Sequence, residues 1–178
     1  MEKGQLLNVY FNDSVGKREL CYELILSAIL PKEWSVEDDQ QVDGQANTTQ
    51  AGANAGDESV TNATGAAQDD VKMIPEGQEL QCVLLDIQGQ FSSRKFMEKV
   101  RHVYDKHRLY EVLGPRATEE QIKANQLNFV RVVLQNLFVF PCMDAIEFNL
   151  TARSLHSFLR RNKSVGLVVI DGIHFIEN

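Results

Sequence analysis

Two short stretches, far apart in the chain, carry residue types that could together handle a phosphate. Gly16-Lys17 follows the apolar run Val9-Tyr10-Phe11, and Asp171 closes the run Leu167-Val168-Val169-Ile170. In the phosphate-binding pattern G-x-x-x-x-G-K-[ST], glycines let backbone amides curl around the phosphates, the lysine reaches the terminal ones, and the final hydroxyl ligates magnesium. Gly16 and Lys17 fit that pattern. Its first glycine position holds Phe11, and its hydroxyl position holds Arg18, which cannot ligate a metal ion. The stretch therefore points to nucleotide binding through Gly16, Lys17 and Arg18, and against magnesium-dependent turnover. An ordinary turn before a buried helix would account for Gly16-Lys17 as well, so a second signal is needed. Asp171 supplies it: an acid ending an aliphatic strand is the form of the partner signature whose carboxylate holds magnesium through water. Asp86, after Val83-Leu84-Leu85, has the same placement.

These residues need a scaffold that brings strand ends together. Lys17 to Leu30 is apolar around much of its circumference, as a helix buried beneath a sheet is, and Pro31 closes it. Glu79 to Asp86 reads as a strand, and Ser92 or Ser93 as the cap of a helix reaching about Tyr110. Gly114-Pro115 breaks the chain, and Thr118 with Gln121 resembles a capping box that opens a helix to about Leu134. Leu137 to Phe140 reads as a strand stopped by Pro141, Met143 to Arg161 as a helix, and Gly166 to Asp171 as the last strand. Apolar strands alternating with helices predict an α/β fold, a mainly parallel sheet with helices on both faces. In such a sheet ligands bind at the carboxyl ends of the strands, which is where Lys17, Asp86 and Asp171 fall.

The 178 residues predict a single domain. The formal charge of -7 is concentrated: residues 35–79 hold ten acids and one base, leaving the remainder faintly basic. Residues 35–78 are rich in Gln, Asn, Ala, Gly, Thr and Asp and predict a disordered acidic insert within that domain. Cys21, Cys82 and Cys142 are odd in number, widely spaced and set among apolar residues, which predicts buried thiols in a reducing compartment rather than disulfides or a zinc site. Cys21 lies near a helix start, a setting that can lower a thiol pKa, although a buried helix position is the plainer reading. No charged-then-apolar leader and no run of membrane-spanning length is present, so the expectation is a soluble intracellular protein with no membrane partner.

Gly16-Lys17-Arg18-Glu19-Leu20-Cys21-Tyr22-Glu23-Leu24, continuing to Ile29-Leu30-Pro31-Lys32, resembles the first loop and helix of the RecA-like recombinase paralog family. Val83 to Asp86 is similar to that family's second strand, Asn136 to Cys142 to its third, and Leu167 to Ile176 to its Walker B strand. The resemblance implies a RecA-like P-loop NTPase core and a subunit acting in DNA double-strand break repair by homologous recombination, located in the nucleus. It further implies ATP and magnesium as ligands, another recombinase paralog as partner, and single-stranded or branched DNA reached through the complex. In active members a carboxylate two residues past the second-strand aspartate positions water, and here that residue is Gln88, which cannot accept a proton as a carboxylate can. With Phe11, Arg18 and Gln88 out of pattern, the expected role is a non-catalytic or weakly nucleotide-binding adaptor. The sequence stops at Asn178, just past the Walker B strand, so the expected core is either cut short there or completed by a partner chain.

Arg160, Arg161 and Lys163 form the better of two basic clusters that could meet a DNA backbone; the other, from Arg94 to Arg108, is interspersed with acids and reads as a solvated face. His102 and His107 are five apart, on different helix faces, and none of the four histidines joins a cysteine at ligand spacing. Two other classes compete with the adaptor: an active P-loop ATPase or small-molecule kinase, which Arg18 and Gln88 argue against, and a truncated, nonfunctional product with an exposed sheet edge.

Overall fold

The computed structural model describes residues 16–35, 71–87 and 89–172. Within them the order is α1 (Lys17–Ile29), β1 (Glu33–Trp34), β2 (Lys72–Met73), β3 (Gln81–Asp86), α2 (Ser93–Lys106), a short 3-10 helix (Leu109–Leu113), α3 (Glu119–Gln135), β4 (Leu137–Pro141), α4 (Ala145–Arg161) and β5 (Val165–Asp171). The fold is α/β, with a three-stranded sheet in the order β4-β3-β5. Both pairings are parallel, Cys82 standing opposite Leu137 and Leu167, and Asp86 opposite Pro141 and Asp171.

Side-chain alternation along the strands divides the layers. Cys82 and Leu84 join the main core with residues from α1, α2 and α3, and Leu137, Val139, Leu167 and Val169 pack against it. The alternate residues face the other way, where Phe158 of α4 meets the rings of Phe138 and Phe140 at centroid distances of 5.2 and 5.8 Å. Helices thus cover both faces, as the pattern predicts. The step from β3 to β4 crosses one face and the step from β4 back to β5 crosses the other. Crossovers of a single handedness require that alternation.

The local signals that set the elements are visible. Leu30, before Pro31, turns extended at φ -62° and ψ 138°, because a residue preceding proline is driven out of the helical region. Thr118 Oγ1 accepts from the Gln121 amide at 3.2 Å while Gln121 Oε1 accepts from the Thr118 amide at 2.8 Å, a complete capping box at the start of α3. Ser92, rather than Ser93, caps α2. The helix expected to reach Tyr110 ends at Lys106: Arg108 adopts a left-handed φ of 49°, and the 3-10 turn that follows buries Leu109 and Val112. A continued α-helix would have held Leu109 on a different bearing.

Part of the stretch expected to be a disordered insert is folded. Residues 71–78 belong to the folded unit: β2 pairs antiparallel with β1, and Ile74 is buried beside Trp34 in the core. The anchor is Ile74, whose side chain enters the core and whose amide donates to the Lys32 carbonyl at 2.7 Å, while Val71 and Met73 stay exposed. Residues 36–70 and the expected first strand, with Phe11, lie outside the described residues, as does Gln88. Among the described residues no helix is long and apolar enough to cross a membrane.

Candidate phosphate site

α1 begins at the carboxyl end of the sheet. Its N-cap, Gly16, sits in the left-handed region at φ 83° and ψ -15°, a conformation open to glycine and strained for other residues, and a Cβ there would meet nothing within 4 Å. Among the described residues no side chain caps this end, where the positive end of the helix dipole lies. Lys17 and Asp171 are brought together by topology: one opens α1, the other ends β5. Lys17 Nζ stands 2.6 Å from Asp171 Oδ1, with the lysine side chain 27% and the aspartate side chain 14% exposed. Oδ1 itself is buried and makes no aligned hydrogen bond, so the contact is one of charge.

Arg18 turns away from this pair and donates from Nη2 to Gln90 Oε1 in the loop after β3. Asp86 faces the same end but is already committed. Its two carboxylate oxygens accept the backbone amides of Gln90 at 3.0 Å and Phe91 at 2.8 Å, folding the loop that leads into α2. The two strand-ending acids thus have different employments, and only Asp171 meets Lys17.

Cys21 lies one turn along α1 from Lys17. Burial, and then the negative charge of Asp171, push its thiol pKa up, with Lys17 opposing more weakly. The lowering that a helix start can bring is overridden, and the thiol stays protonated at neutral pH. Burial pushes the Cys82 thiol up to about 12. All three cysteines are free, and the two beyond Cys21 are buried.

With Lys17 on Asp171, the described residues hold no open pair of carboxylates for a magnesium ion. The position beside Asp171 Oδ1 that a cation would take is held by the Lys17 ammonium, both oxygens of Asp86 are engaged, and Arg18 adds positive charge. Among the described residues the turn carries features that a phosphate oxyanion uses: a helix start without a side-chain cap, a partly exposed ammonium and a glycine in the left-handed region. Asp171, expected to hold a metal-bound water, serves here as the counter-ion of Lys17.

Arg160 and Arg161 close α4, and Lys163 follows in the turn that leads into β5, all three exposed. They stand at the opposite end of β5 from Asp171, about 20 Å away at the rise of a parallel strand. The basic cluster and the phosphate turn are therefore two surfaces and not one site. A hollow of about 170 Å³ lies between α4 and the sheet, lined by Phe140, Thr151, Ser154, Leu155, Phe158 and Arg161, on the face away from α1. His107 pairs with Glu76 at 3.2 Å, a contact across chain segments that spacing alone could not reveal.

No family model matches the chain, and no curated protein does.

Proposed function

We propose that the protein is a nucleotide-responsive, non-catalytic adaptor of the RecA-like recombinase paralog type, acting in repair of DNA double-strand breaks by homologous recombination. The observation that carries the nucleotide part is the Lys17–Asp171 pair at the carboxyl end of a parallel sheet, beside the left-handed Gly16 turn. The recombination part rests on the sequence resemblance from Gly16 to Lys32 and along the three described strands. ATP would meet the chain through its phosphates, with Gly16 permitting close backbone approach, Lys17 neutralising charge, and Arg18 flanking the turn. Catalysis is not assigned to any residue. Arg18 stands where a metal-binding hydroxyl would be needed, and Gln88 where the water-positioning carboxylate would be.

The proposed partner is another recombinase paralog. Support comes from apolar side chains left exposed on the α4 face of the sheet, among them Ile146 and Leu150 of α4 and Val168 and Ile170 of β5. Arg160, Arg161 and Lys163 would carry any backbone contact to DNA made through the complex.

Equilibrium binding of ATP, with and without magnesium, to the wild-type chain and to Lys17→Ala tests the reading. The expected result is binding that does not depend on magnesium and is weakened at least about tenfold in the variant. Steady-state phosphate release that disappears in Lys17→Ala would instead establish an active ATPase or kinase. Two folded proteins with no affinity would remove the nucleotide from the proposal. Co-purification of one specific paralog tests the partner separately.

A further inference from the structure

We infer that Asp171 is an internal competitor for phosphate: it holds the Lys17 ammonium in the place a ligand's oxyanion would take, and a phosphate-bearing ligand binds by drawing Lys17 away from it. This deepens the nucleotide reading above and rests on it. The two members of the pair are unequally exposed. Asp171 Oδ1 is sealed from solvent, while the Lys17 side chain keeps 27% of its surface open. A dissolved anion therefore meets more of the ammonium stem than of the carboxylate oxygen that holds it. The lysine has the reach for a transfer, since a flexible four-carbon stem carries its charge from the first residue of α1. Among the described residues no side chain caps the helix start, whose first amides are donors that Asp171 does not use.

The chemistry sets a competition. An ammonium is a compact point charge, and sharing it between a carboxylate and a phosphate weakens both contacts. Drawing Lys17 away leaves Asp171 Oδ1 buried with no other partner of opposite charge among the described residues, which opposes binding. Asp171 consequently lowers phosphate affinity instead of raising it. This is the reverse of what a magnesium-holding aspartate would do, and the sign of the effect can be measured.

Tripolyphosphate and ATP, each without magnesium, would be titrated calorimetrically into the full chain as wild type, Asp171→Asn and Lys17→Ala. The expected result is binding about tenfold or more tighter in Asp171→Asn and lost in Lys17→Ala. Equal or weaker binding in a folded Asp171→Asn, with wild type still binding, overturns the competition and leaves the nucleotide reading standing. No binding by any of the three overturns both. Should Asp171→Asn fail to fold, the wild type answers by carbon-13 spectroscopy of the Asp171 carboxyl. A resonance that moves as tripolyphosphate saturates the protein supports the exchange of partners, and one that stays fixed at saturation overturns it.

Discussion

Asn125→Ala is expected to lower the unfolding free energy by about 3 kcal/mol, because one amide oxygen serves two buried donors. Asn125 Oδ1 accepts from Tyr104 Oη at 2.7 Å and from Trp34 Nε1 at 3.2 Å. Both rings are sealed in the core and pack on Phe129, with centroids 5.6 and 5.0 Å away. Without the oxygen both donors lose their acceptor, and each buried group left unsatisfied costs about 1–3 kcal/mol. Burial, then Asp105 and Tyr110, push the Tyr104 hydroxyl up to about 12, so it remains a donor throughout the neutral and mildly alkaline range. Trp34 is the chain's one tryptophan, which makes its fluorescence a direct probe of urea unfolding. Tyr104→Phe in the Asn125→Ala background should cost little, since the orphaned hydroxyl leaves with its partner. A loss below about 1 kcal/mol in Asn125→Ala would show that the oxygen is not a shared acceptor.

Gly77→Ala should cost about 2–3 kcal/mol, and the cause is a backbone approach that leaves no room for a methyl group. A Cβ on residue 77 would stand 2.1 Å from the Pro31 carbonyl oxygen and 2.7 Å from its carbon, atoms that no rotamer change can move. The segment cannot slide away. The Glu79 amide donates to the Leu30 carbonyl at 3.0 Å, and the Leu80 amide to the Ala28 carbonyl at 2.8 Å, tying the entry to β3 onto the end of α1. Gly166→Ala is the control: its Cβ would meet the Leu80 Cδ1 at 2.5 Å, the far end of a flexible side chain. Thermal unfolding of the two variants should therefore separate them, with Gly77→Ala melting lower. Equal melting temperatures would mean that Pro31 yields as easily as Leu80.

What the chain announces in advance is local. Thr118 and Gln121 mark the start of α3 because a cap needs only residues within one turn of each other, and both of its hydrogen bonds are formed. The strands over residues 81–86, 137–141 and 165–171 are legible because buried parallel strands read as unbroken aliphatic runs. Lys17 and Asp171 could be named together for a similar reason: each sits at an element's end, and parallel strands put such ends on one rim.

What stays hidden depends on partners distant in sequence. Asn125 looks like any polar residue on a helix, and its role appears only when Trp34 and Tyr104 arrive from 91 and 21 residues away. Asp86 and Asp171 are alike as strand-ending acids. They differ because the loop after β3 returns its amides to Asp86, and nothing about an aspartate predicts where the next loop goes. Composition hides β2 and Gly77 within a polar, acidic stretch, since a two-residue strand has no periodicity to detect.

α4 buries no residue fully, and its aromatic contacts with the sheet come from Phe158 on Phe138 and Phe140. Its amide protons should consequently trade with solvent through small local openings, at a free energy well short of the global value. Those of β3, paired on both sides and covered on both faces, have no comparable escape and await unfolding of the whole domain. The domain thus carries a gradient of opening energies, with the helix bearing exposed Ile146 and Leu150 at its loose end. A partner settling on that surface would register first as a slowing of exchange along α4, before any change in the protein's melting.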